Sequence, residues 1–157
     1  MFLRPVKERV SGGPLETFHS DDEIAAIAHG LIHRTLPKPN WTHAAHFAAA
    51  LWFLCHHSLE HALPLIRDSI RAYNEATGVA NTETSGYHET ITQASLRAAA
   101  YFRRERHDAP LYSICNELLA SAFGRSDWIL LYWTKETLFT PEARRRWVEP
   151  DVLQLPF

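Results

Sequence analysis

Apolar residues recur along this chain at helical spacing, in blocks separated by short polar or proline-containing breaks. Ile24, Ile27, Ala28, Leu31 and Thr35 share one side of a helix drawn over 21–36. Ser20 stands at its start with Glu23 three residues on, acidic residues fill the first turn, and Pro37 and Pro39 stop it. Thr42 caps a second helix over 43–57 that is apolar nearly all round, which predicts a central place in the domain. A third helix starts by Pro64 or somewhat earlier and runs to Thr77, with Leu65, Ser69, Ala72, Tyr73 and Ala76 as its buried stripe and Gly78 to end it. After a loop over 78–85 a fourth helix spans 87–106, capped by Ser85 or Gly86. Pro110 opens a fifth that closes near Phe123 and Gly124, and Ser126-Asp127 starts a further one through Trp133. Thr140-Pro141-Glu142 begins a short last helix with proline in its first position. The alternation expected of strands is missing throughout.

These blocks predict an all-α fold: an up-down bundle of four core helices, with two or three shorter C-terminal helices packed on its side. Residues 1–19, with Pro5 and Ser11-Gly12-Gly13-Pro14, read as an extended arm, and 20–157 as a single helical domain large enough for its own core. The tail over 149–157 reads as extended and lying against the body.

Composition narrows the function classes. With 46% hydrophobic and 22% charged residues and a formal net charge of −2, the chain is ordinary globular material without the basic face of a nucleic-acid binder. The basic runs at 103–106 and 144–146 are short and read as solvated helix faces or ends. Cys55 and Cys115 sit in apolar helical stretches and read as small core residues in a reducing compartment. No apolar segment approaches the ~20 residues of a membrane span. The expectation is a cytoplasmic protein without nucleic-acid or membrane partners. The histidine content changes the picture: the chain holds ten, where about three or four is usual for this length.

Topology decides which histidines can meet. In an up-down bundle the second and fourth helices are parallel, so their starts share one end. His43 and His46 lie at the start of the second, on the side of Phe47, Ala50, Phe53 and Leu54. Tyr87, His88 and Glu89 start the fourth, with His88 on the side of Ile91, Thr92, Ser95, Ala99 and Phe102. Buried imidazoles need partners or ligands. Three imidazoles with an open position suit zinc, and histidines with a carboxylate suit iron. His43, His46 and His88 are therefore candidate ligands of a divalent metal, with Glu89 or Glu83 as a fourth. Glu89 is the candidate general base and Tyr87 the positioning or proton-donating group. Two helix starts carry partial positive charge, which opposes a bare cation and favours an anion; a metal together with an anionic substrate satisfies both. The same residues can equally be satisfied core polar groups, with Glu89 closing a capping box and Tyr87 packing over the loop. Elsewhere, His29 and His33 have the four-residue spacing of a metal pair but lie opposite the apolar stripe of their helix, which places them on the surface.

The stretches WTHAAHF (41–47), IRAYNEATGVANTETSGYHETIT (70–92) and LFTPEARRRWVEPD (138–151) resemble a family of small bacterial helical proteins that carries no assigned activity. The resemblance implies that His43, His46, His88 and Glu89 occupy signature positions. At fold level the pattern is also similar to DinB-like bundles, which bind a divalent metal through three histidines, although their late-helix histidine pair has no counterpart here. Two functions follow as expectations. One is a metal-dependent enzyme acting on a small, anionic molecule. The other is a non-enzymatic binder of a small ligand or of a protein partner, a second copy included, served by Trp128, Trp133 and Trp147 if they are exposed; their simpler reading is core packing.

Overall fold

The computed structural model describes residues 17–157, and most of the arm expected over 1–19 lies outside them. Among the described residues the fold is all-α, without a strand: α1 (Asp21–Ile32), α2 (His43–His56), α3 (Leu59–Ala76), α4 (Glu89–Arg104), α5 (Leu111–Ala120), α6 (Lys135–Leu138) and α7 (Pro141–Arg145). Short 3-10 turns stand at Lys38–Asn40, Ala122–Gly124 and Trp128–Leu131. α2 is the central helix and packs against α1, α3, α4 and α5. Its sequence explains this: Ala44, Ala45, Ala48, Ala49 and Ala50 are all buried, and small side chains let neighbouring helices approach from several sides. α4 in turn packs on α3, α5 and α7.

Helix ends follow local chemistry more closely than hydrophobic periodicity. α1 stops at Ile32, four residues before the expected end, because Arg34 takes a left-handed conformation (φ 60°). Its cap is a paired one: the Arg34 N–H donates to the Leu31 carbonyl at 3.1 Å and the Thr35 N–H to the Gly30 carbonyl at 2.8 Å. α3 begins at Leu59, before Pro64, with the Ser58 hydroxyl accepting from the His61 N–H. Its buried stripe is Ala62, Ile66, Ile70, Tyr73 and Asn74, one residue displaced from the expected one. Leu65 is 41% exposed. Both stripes have helical spacing, and the bulkier isoleucines win the core. The stretch expected as a helix to Trp133 is only the 3-10 turn at 128–131.

One further expectation changes. Cys55 is exposed while Cys115 is buried. Of the tryptophans offered for a partner surface, Trp128 and Trp133 pack in the core, as their simpler reading has it, and Trp147 is half-buried under the Arg97 guanidinium, 4.1 Å from its ring centroid. The tail does lie on the body: Trp133 Nε1 donates to the Val148 carbonyl at 3.1 Å, and the Phe157 ring sits 6.1 Å from Phe123. No helix among the described residues is long and apolar enough to cross a membrane.

Candidate functional site at the helix starts

The α3–α4 loop is built around Asn81. Its side-chain oxygen accepts from the Asn74 amide and the Tyr87 N–H, both at 3.0 Å, and its amide donates to the Arg71 carbonyl at 3.1 Å. Gly86 closes the turn at φ 81°, where a Cβ would fall 2.6 Å from both the Ala80 carbonyl oxygen and the Asn81 side chain. Glycine is required there for conformation and for space.

From this turn the chain enters α4 through Tyr87, His88, Glu89 and Thr90, all buried. Successive residues serve opposite neighbours. Tyr87 and Glu89 face α3. Glu89 accepts Arg67 Nε at 2.9 Å and Arg67 Nη2 at 2.6 Å, the Tyr87 hydroxyl at 2.9 Å and Gln93 Nε2 at 2.8 Å. Each carboxylate oxygen thus takes two bonds, the full capacity of the group. Burial pushes the Glu89 carboxyl up, but the bonds from Arg67, Gln93 and Tyr87 outweigh it and hold the group below the ordinary carboxylate range. Burial and the neighbouring Glu89 charge raise the Tyr87 phenol.

His88 and Thr90 face the C-terminal segment. His88 is the N-cap of α4, a position expected for Ser85 or Gly86: its Nδ1 accepts the Ile91 N–H at 3.3 Å. Its Nε2–H donates to the Leu138 carbonyl at 2.7 Å. Both ring nitrogens are engaged, which requires the neutral ring, and burial lowers its pKa to about 4. Glu89 is therefore the first helical residue, not the third, and closes no capping box. The Thr90 hydroxyl donates to the Ala143 carbonyl at 2.7 Å, and Arg144 Nη1 to the carbonyls of Gly86 (3.0 Å) and Tyr87 (3.3 Å).

The α2 histidines go elsewhere. His43 Nε2–H donates to the Phe123 carbonyl at 2.8 Å. His46 Nδ1–H donates to the Thr42 carbonyl at 2.6 Å, and its ring stacks on Trp41 with centroids 3.8 Å apart. Trp41 in turn meets the edge of Tyr73 on α3 at 5.7 Å. His46 is 4% exposed, and burial holds its pKa well below the usual imidazole range. With Nδ1 protonated and the ring neutral, Nε2 carries a lone pair, and that buried atom has no partner. The buried Trp41 Nε1 is likewise without a partner, whereas the Thr92 hydroxyl lies within reach of the Tyr87 phenol and lowers its pKa against the effect of burial.

The fold thus brings Tyr87 and Glu89 together. It holds His43, His46 and His88 by three separate carbonyls, at Phe123, Thr42 and Leu138. Among the described residues no three or more His, Cys, Asp or Glu side chains form a group that could hold a metal ion. Glu83, the alternative carboxylate, pairs with Arg145 at 2.7 Å on the surface. Arg67, Asn81, Thr90 and Arg144 are missing from the sequence candidates. The one available signal was Glu89 itself, since a carboxylate on a buried face demands a cation on a facing helix. Compared with family models, with curated proteins and with solved structures, the chain matches none.

Proposed function

We propose that the protein binds a small molecule between the first turns of α2 and α4, through His46. The carrying observation is the buried Nε2 of His46, a neutral acceptor without a partner. Leaving such an atom unsatisfied costs about 1–3 kcal/mol; a ligand O–H or N–H offsets that cost. The unpartnered Trp41 Nε1–H, on the ring stacked against His46, supplies a donor for an acceptor on the same ligand. The positive ends of two helices favour a neutral or anionic molecule over a cation. Binding is better supported than acid-base chemistry, because the Glu89 carboxylate is saturated and the Tyr87 phenol is held protonated. A metal on His88 through Nδ1 would displace the Ile91 N–H, and through Nε2 it would displace the Leu138 carbonyl and leave a protonated Nδ1 facing Ile91, so the α4 cap is lost either way.

The test is a thermal-shift series with small amides, alcohols and carboxylic acids on the wild type and on His46→Phe. One chemical class should raise the wild-type Tm in a concentration-dependent way and leave His46→Phe unmoved. Without ligand the variant should stay within about 1 kcal/mol of wild type, since it loses the Thr42 bond and also loses the orphan acceptor. Equal shifts in both proteins, or none in either, would overturn the reading.

A further inference from the structure

α1 ends in a histidine pair that neither the helix starts nor the core uses. His29 lies in the last turn and His33 is the C-cap, still in helical conformation (φ −87°, ψ −1°). Residues four apart stand on one helix face with Cβ atoms about 5–6 Å apart. Here the ring centroids are 6.4 Å apart and both residues are exposed, so the two side chains can share one ion by turning toward each other in solvent. Ala25, one turn before His29, leaves that face low. A helix C-terminus carries about half a negative charge, which favours a cation within the last turn. Spacing, exposure and field therefore agree, whereas at the starts of α2 and α4 the field opposes a cation. The His29 ring and Trp52 on α2 meet edge to face with centroids 5.2 Å apart, and the His56 ring lies against the same indole at 4.2 Å.

We propose that His29 and His33 form a two-imidazole site for a divalent transition metal, with water completing the coordination. Imidazole ligands suit copper, nickel and zinc, and copper(II) stands highest among the first-row divalent ions. The nearby Arg34 is exposed and turned into the left-handed cap, so its charge is screened by solvent.

The experiment is a copper(II) titration of the full chain at neutral pH, against a competing chelator, read by tryptophan fluorescence and electron paramagnetic resonance. One equivalent should quench emission, and Trp52→Phe should remove most of that quenching. The resonance spectrum should show two imidazole nitrogens. His29→Ala and His33→Ala should each weaken binding about tenfold or more, while the double variant His57→Ala/His61→Ala should not change it. Circular dichroism checks that the variants fold, and His33→Gln, which keeps a polar cap, should weaken binding as His33→Ala does. Unchanged affinity in the His29 and His33 variants, or a single bound imidazole, would overturn the site. His46→Phe should bind copper like wild type, so the outcome is independent of the ligand site at α2.

Discussion

At the scale of single residues, His88 holds the most consequential position. Its imidazole is an acceptor to α4 and a donor to the Leu138 carbonyl at once. Only the neutral ring can do both, because protonation turns Nδ1 into a second donor facing the Ile91 N–H. Arg144 beside it adds a like charge. The linkage has a definite sign. The folded pKa is about 4, below the ordinary value of about 6.5, so the unfolded chain binds more protons between those limits. Stability contributed by His88 is complete above about pH 6.5 and is lost as pH falls toward 4, up to about 3 kcal/mol. Urea denaturation at pH 7 and pH 5 should show this loss in the wild type and a smaller one in His88→Gln. The same slope in both proteins would place the acid sensitivity elsewhere.

At the scale of elements, the start of α4 is a joint, and its alternating residues fasten it to α3 on one side and to α6 and α7 on the other. The Arg67–Glu89 pair is its α3 fastening. Arg67→Ala strands a buried carboxylate, but the Arg67 side chain is 34% exposed, so water recovers part of the cost. We expect about 2–4 kcal/mol of destabilisation, reduced when Glu89→Gln is added, as a double-mutant cycle would measure. An additive cycle would show that the two residues do not act as a pair. Gly86→Ala should cost about 1–3 kcal/mol through the left-handed turn and the Asn81 clash, visible as a lowered urea midpoint.

At the scale of the molecule, the stretches 70–92 and 138–151 meet at this joint, and 41–47 is fastened to α3 through Trp41. His46 stacks on Trp41 and Trp41 on Tyr73, Asn81 pins the loop, and Leu138, Ala143 and Arg144 are held by residues 86–90. A C-terminal segment tied in at so many points should unfold with the bundle. Trp133 and Trp147 report on that segment and far-ultraviolet dichroism on the helices, so the two transitions should coincide in urea. A fluorescence change at lower urea would mean that the C-terminal segment leaves first.

Local pattern was enough to give the helical class, the central place of the second helix, the caps at Ser20, Thr42 and Thr140, and the core-facing side of His88. Those are consequences of periodicity and of side chains bonding their own backbone within a few residues. It also placed the His29–His33 pair on the surface. What the buried polar groups do depends on how distant segments pack. A histidine on a core face looks the same in sequence whether it meets a metal, a ligand or a carbonyl. The carbonyls that take His43 and His88 lie 80 and 50 residues away, at positions set by how the C-terminal segment wraps the bundle. The Arg67 cation reaches Glu89 from a facing helix 22 residues back, and the stripe of α3 fell one residue from its expected place because two registers had similar spacing. Long-range polar pairing depends on relative helix position and rotation, and a pattern of local periodicities carries neither.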